Sequence, residues 1–155
     1  MSAARIDRPE AARSQWATVL IGVGLMAAVD EIIFHQLLGW HHFYDLATPA
    51  VGLLSDGLLH AAELIAIVAG FFMLADLQRR RAFSALWGWA GFFLGAGGFQ
   101  LFDGLINHKV LRLHQIRYGV WLFPYDLVWN VTGLSLLLVG AALALRARRR
   151  TARTQ

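Results

Sequence analysis

Residues 16–38 read WATVLIGVGLMAAVDEIIFHQLL, an apolar run in which charged groups appear only towards its end. A helix needs about 20 predominantly apolar residues to cross the hydrocarbon core of a bilayer. Three further apolar runs follow, and none of the four has an interior proline. We therefore predict transmembrane helices at about 15–37, 57–76, 82–106 and 125–146. The expected fold is all-α, a four-transmembrane-helix bundle.

The composition excludes several other classes of protein. Of the 155 residues, 57% are hydrophobic and only 15% are charged, which is too apolar for an ordinary soluble domain. The chain contains no cysteine, so disulfides, thiolate metal sites and cysteine catalysis are excluded. The length suits one compact domain.

The basic residues predict the orientation of the helices. Eleven of the fourteen lie in clusters before the first run, after the second run and after the fourth run. Basic clusters beside apolar runs follow the positive-inside rule and do not resemble a nucleic-acid surface. We expect a cytoplasmic N-terminal tail at 1–14, one transmembrane domain at 15–146 and a basic cytoplasmic tail at 147–155. The predicted location is the bacterial plasma membrane, with the lipid bilayer as partner and no nucleic acid.

An internal repeat is visible in the order and spacing of polar residues. Both halves contain the pattern G-x-G-x5-D-x4-H-x5-H, at positions 73 residues apart. A second match, 70 residues apart, pairs Asp56-x3-His60 with Asp126-x3-Asn130. The predicted repeats, about 15–81 and about 82–150, are two helix hairpins that lie parallel in the membrane. Coincidence in an apolar sequence of low complexity is the alternative.

The ionisable residues gather at one predicted depth. All six histidines and seven of the ten acidic residues lie at the outer ends of the helices or in the outer loops. Buried charges inside a membrane are costly, so such residues are candidates for function. Carboxylates and imidazoles that converge in a helical bundle suit Zn, Fe, Mn or Cu(II).

Helical spacing predicts which of these residues share a face. Glu31 and His35 are four residues apart, whereas Asp30 and His35 differ by about 140° around an α-helix. Asp30 and His35 therefore need a kink or a helix end near His35 to share a small site, and so do their counterparts in the second repeat. The predicted metal ligands are His35, His60, His108, His114, His41, Asp30, Glu31, Asp56 and Asp103. Side chains expected to position them or relay protons are Glu63, Asp126, Asn130 and Gln100.

Four strings carry a resemblance to a known family: DEIIFHQLLGWHH, SDGLLHA, LFDGLINHKVLRLHQIR and YDLVWN. They resemble small bacterial inner-membrane proteins known as a domain of unknown function, over roughly residues 22–130. The resemblance implies a plasma-membrane location and supplies no reaction. It also suggests an association with cytochrome oxidase assembly factors.

We expect a membrane protein with a His/Asp/Glu metal site in the outer half of the bundle. The sequence leaves open whether the protein is an enzyme. If it is one, we expect a metalloenzyme that acts on a lipophilic substrate. The alternatives are a structural network of ion pairs, a respiratory-complex assembly partner, haem b held between His35 and His108, and an ion or proton carrier. A homodimer is a further expectation, because four helices are few for a carrier.

Overall fold

A computed structural model describes residues 8–153. Arg5, with the rest of the predicted N-terminal tail up to residue 7, and residues 154–155 of the predicted C-terminal tail lie outside the described residues. The described chain forms four α-helices, which confirms the predicted all-α class. They are α1 (Arg8–Asp30), α2 (Pro49–Arg79), α3 (Ala85–Phe102) and α4 (Phe123–Arg153).

Three helical stretches are long and apolar enough to cross a membrane: Arg8–Leu37, Pro49–Arg79 and Phe123–Ala152. The helix α3, with 18 residues, is the shortest of the four and is not among these stretches, so its membrane crossing stays a prediction. All three long helices exceed the predicted spans. The helix α2 starts eight residues before the predicted 57, because Pro49 occupies the first turn, where proline needs no hydrogen-bond donor.

The two central helices are α1 and α3, while α2 packs on α1 and α4 packs on α3. Glycine lets the central helices touch through their backbones. A Cβ atom at Gly22 would overlap the carbonyl oxygen of Phe92, and one at Gly95 would overlap that of Val19. The contact of Gly91 with the Gln15 carbonyl precedes that of Gly95 with the Val19 carbonyl by four residues on both helices, so α1 and α3 run parallel.

Contacts between each central helix and its flanking helix also match. A Cβ atom at Gly24 would meet the carbonyl oxygen of Glu63, and one at Gly97 would meet that of Gly133. These pairs occupy equivalent positions, which are 73 residues apart in the central helices and 70 apart in the flanking helices. We call residues 8–81 the first half and 82–153 the second half. The internal repeat stays a prediction, and these matched contacts support it.

Both central helices continue into π-helical segments, at Glu31–Leu37 after α1 and at Asp103–Leu111 after α3. A π-helix bonds residue i to residue i+5 and often marks a functional site. Both segments end at a left-handed residue, Gly39 with φ of 56° and Arg112 with φ of 53°. One residue later, the N–H of Trp40 donates to Phe34 O at 2.9 Å and that of Leu113 to Asn107 O at 3.0 Å.

The arginine clusters and the histidine-rich residues occupy opposite ends of the bundle. At the basic end, Arg13 on α1 donates to Asp76 on α2 at 3.1 Å, and Arg79 donates to the same carboxylate at 2.9 Å. The π-helical segments and the long loops after them lie at the other end. The site described next is therefore about one helix length away from the arginine clusters.

Candidate metal centre

The π-helical segments bring aspartate and histidine of each half together. In the first half, Asp30 Oδ2 lies 3.7 Å from His35 Nε2. In the second half, Asp103 Oδ2 lies 3.1 Å from His108 Nε2. In an α-helix these side chains would point about 140° apart, but residues five apart are one turn apart in a π-helix. The irregularity that their spacing requires is therefore present in both halves.

The loops return a second histidine from each half to the same place, and each is held by the other half. The Nδ1–H of His41 donates to the carbonyl of Ile116 at 3.0 Å. The Nδ1–H of His114 donates to the carbonyl of Phe43 at 2.8 Å. A carbonyl can only accept, so these bonds fix the proton on Nδ1 and leave the lone pair on Nε2. An outer hydrogen bond of this kind is typical of histidines that bind metals.

Four imidazole rings from the two halves form one buried cluster. The His41 and His114 rings stack with centroids 4.5 Å apart and planes 5° apart. His35 lies 4.4 Å from His41, and His108 lies 4.7 Å from His114, between ring centroids. All four side chains are at most 5% exposed. The predicted convergence of histidines from both halves is therefore present in the structure.

Three overlapping groups bring possible ligand atoms within 4.8 Å of one another. They are His41 with His108 and His114, Asp30 with His35 and His41, and Glu31 with His35 and Asp56. Every member is buried. Asp103 adjoins the first group, because its Oδ1 lies 3.5 Å from His114 Nε2.

The nitrogens that face the cluster lack well-aligned hydrogen bonds. Among the described residues, Nε2 makes no well-aligned hydrogen bond in any of the four histidines, His35, His41, His108 and His114. The oxygens near His108 Nε2 and His114 Nε2, at 3.1 Å and 3.5 Å, belong to Asp103, itself a predicted ligand. Burial, and then the neighbouring imidazoles, lower the pKa of His41 to about 2. Its ring is therefore neutral at physiological pH, and the lone pair on Nε2 is available to a ligand.

Outer carboxylates hold the two remaining histidines from behind. His35 Nδ1 lies 2.8 Å from Glu31 Oε2 and 3.1 Å from Asp56 Oδ1. In the second half, His108 Nδ1 lies 3.8 Å from Asp126 Oδ1. A carboxylate on the far nitrogen orients an imidazole and makes it a better ligand. The first half therefore positions its histidine more tightly than the second.

Four other predicted residues lie around the cluster and belong to none of the three groups. His60 is half exposed, and its Nδ1 lies 2.5 Å from Oε1 of the buried Glu63. Gln100 donates to the carbonyl of Trp129 at 3.0 Å, and Asn130 donates to that of Asp126 at 2.8 Å. Gln100 thus joins α3 to α4, whereas the Asn130 bond lies within α4.

Sequence reasoning undervalued two residues. His42 is not among the predicted ligands, but its Nδ1 lies 2.6 Å from Asp56 Oδ2. Asn107 donates to Asp103 Oδ1 at 3.0 Å from within the same π-helical segment. The sequence carries no local signal for His42, because the loop must fold back on α2 to make this contact.

An apolar pocket adjoins the cluster on the α4 side. Its volume is about 390 Å³, and it is lined by Phe34, Trp40, Ile116, Pro124, Tyr125, Val128 and Trp129. The Arg117 guanidinium lies 4.7 Å from the ring centroid of Trp40 and donates to the Tyr125 hydroxyl at 2.7 Å. The pocket connects to the cluster through Ile116, whose carbonyl accepts the His41 proton.

Comparison with known proteins gives one match. Residues 17–147 match the profile of a family described as Predicted membrane protein (DUF2243). No curated protein and no solved structure matches this chain. The matched residues include most of each of the four helices and the whole histidine cluster. The chain therefore belongs to the DUF2243 family of predicted membrane proteins.

Proposed function

We propose that this membrane protein binds a divalent transition-metal ion, Zn, Fe, Mn or Cu(II), in the buried cluster at the end of the bundle. The proposed ligands are the Nε2 atoms of four histidines and the carboxylates of two aspartates: His35, His41, His108, His114, Asp30 and Asp103. The observation that carries the proposal is the convergence of four buried Nε2 atoms that make no well-aligned hydrogen bond and lie beside the Asp30 and Asp103 carboxylates. Imidazole and carboxylate are suitable ligands for these metals.

Two alternatives draw less support from the geometry. A purely structural network would be expected to satisfy its buried polar atoms, because unpaired ones cost free energy. Haem between His35 and His108 would need an open slot between them. The rings of His41 and His114 each contact both of those histidines, so imidazoles fill the space that a porphyrin would take.

The proposed location is the bacterial plasma membrane, with the metal centre on the extracytoplasmic side and both termini in the cytoplasm. The support is the arginine-rich end opposite the cluster, because arginine is enriched beside cytoplasmic helix ends. The homodimer and the respiratory-complex partner stay predictions.

The apolar pocket supports the finer part of the proposal, in which the metal centre acts on a lipophilic molecule. Clefts lined by aromatic side chains with a few polar groups are typical of small-molecule sites. Here Arg117 provides one charge at the rim, beside Trp40 and Tyr125. Mass spectrometry of the purified protein should detect a retained lipophilic molecule. The Val128→Trp variant should lose it while keeping the metal, and a wild-type protein that retains none would contradict this part.

Elemental analysis of the detergent-purified protein tests the main proposal. We expect a transition metal at a fixed ratio to protein, and its loss in the double variant His41→Ala/His114→Ala. His60→Ala is the matched control, because His60 is half exposed and lies outside the groups. Size-exclusion chromatography and circular dichroism should show that both variants stay folded. The absence of metal from wild type, after incubation with each of the four ions, would refute the proposal.

A further inference from the structure

The cluster contains two equivalent groups of ligands. Asp30, His35 and His41 come from the first half, and their ligand atoms lie within 4.8 Å of one another. The equivalent residues of the second half are Asp103, His108 and His114. There, the aspartate oxygens lie 3.1 Å from His108 Nε2 and 3.5 Å from His114 Nε2. Each half thus presents one aspartate and two histidines.

The two groups adjoin each other across the contact between the halves. The His41 and His114 rings stack 4.5 Å apart, so both groups share one buried space. His41 also lies within ligand distance of His108 and His114. Protein sites that hold two metals keep them about 3.5–4 Å apart. The spacing of the two groups suits such a pair.

The buried carboxylates also outnumber those that one divalent ion would balance if all were ionised. Five acidic side chains are at most 3% exposed: Asp30, Glu31, Asp56, Glu63 and Asp103. Within the described part of the chain, no lysine or arginine is within 4.0 Å of any of them, and only imidazoles make ion pairs with them. Uncompensated carboxylates are costly in a low-dielectric interior. One divalent cation balances two of these charges, and two cations balance four.

We propose that the centre is dinuclear, with one divalent ion on Asp30, His35 and His41 and a second on Asp103, His108 and His114. This inference rests on the proposed metal-binding function and specifies its stoichiometry. Three protein ligands per ion leave positions open on each ion for water or another small oxygen donor. Glu31, Asp56 and Asp126 act as positioning residues behind the ligand histidines.

Metal counting distinguishes this inference from the proposed function. Full-length protein is stripped with a chelator, reloaded with Zn²⁺ and assayed by elemental analysis. We expect two ions per chain in wild type, one in His35→Gln, one in His108→Gln and two in the matched control His60→Gln. If the protein binds neither zinc nor any other of the proposed metals, both the dinuclear centre and the proposed function are refuted. One ion in wild type would refute only the dinuclear centre, and so would two ions that both variants retain.

Electron paramagnetic resonance provides a second measurement that needs no variant. When wild type is loaded with Mn²⁺, two ions a few ångströms apart should give a spin-coupled spectrum. The six-line signal of an isolated ion at full loading would overturn the inference. This measurement decides the question even when the histidine variants do not fold.

Discussion

The two halves of the molecule agree at the centre and differ around it. Asp30, His35 and His41 have counterparts of the same type in the second half. Four ionisable residues of the first half do not: Glu31, His42, His60 and Glu63 correspond to Gly104, Gln115, Asn130 and Gly133. The side chains of these three shared pairs converge, whereas the four unshared residues, and the shared pair Asp56 and Asp126, lie behind or beside them.

This difference separates two roles. The converging positions carry the same residue types, aspartate and histidine, in both halves. Each half places these side chains in the same way at its contact with the other half. The extra acids give the first half a surplus of buried negative charge, with Glu31 and Asp56 both close to His35. In the second half, Lys109 lies 2.6 Å from Asp126 and neutralises that carboxylate. The first half is therefore the more electronegative side of the centre.

The largest expected effect tests the symmetry of the centre. His41→Ala and His114→Ala should weaken Zn²⁺ binding to a similar extent, because each ring is held by a carbonyl of the other half. The loss of zinc affinity should be larger than about 10–100-fold, which is the usual effect of removing a group that only orients a ligand. Competition titration against a zinc chelator measures it. A large loss in only one variant would break the equivalence of the halves.

The asymmetry of the outer carboxylates is tested by Asp56→Asn and Asp126→Asn. We expect Asp56→Asn to weaken metal binding about 10–100-fold, the usual range for a group that orients a ligand histidine. Asp126→Asn should have less effect, because Asp126 is 3.8 Å from His108 and already paired with Lys109. The same titration measures both variants. Equal losses would show that the surplus charge of the first half does not affect the metal.

Close packing of the central helices is tested by Gly22→Ala and Gly95→Ala. Each added Cβ would meet a backbone oxygen of the facing helix, so each should destabilise the protein by about 1–3 kcal/mol. Gly98→Ala is the matched control, because a Cβ there meets nothing within 4 Å. It should stabilise α3 by up to about 1 kcal/mol. Thermal unfolding in detergent gives the comparison, and similar stabilities for all three variants would contradict it.

The smallest expected effect concerns the left-handed residues that end the π-helical segments. Gly39 and Arg112 adopt nearly the same positive φ, which costs a non-glycine residue about 1–2 kcal/mol. Arg112→Gly should therefore raise the unfolding temperature, while Gly39→Ala should lower it. The same thermal assay is sensitive enough for both. A fall in stability for Arg112→Gly would show that its side chain contributes more than the strain costs.

Helical spacing predicted the face of α2 only in part. The spacing of Asp56, His60 and Glu63, at i, i+4 and i+7, predicts one stripe, but the structure buries Asp56 and Glu63 while leaving His60 half exposed. The buried stripe of α2 is narrow, with members at Gly52, Asp56, Glu63, Gly70 and Leu77. Small residues bring α2 close to α1, so a side chain slightly to one side of the stripe already faces outwards.

The sequence alone determined the helical class, the membrane setting, the spacing of the predicted repeat and the types of residue in the cluster. These follow from local properties, namely hydropathy along the chain and the order of polar residues within each half. Tertiary structure decided which residues meet. The π-helical turns rotate Asp30 and Asp103 towards their histidines. The contact between the halves holds His41 and His114, because each donates a hydrogen bond to a carbonyl of the other half. Both depend on long-range packing, which an α-helical periodicity of 100° per residue does not contain.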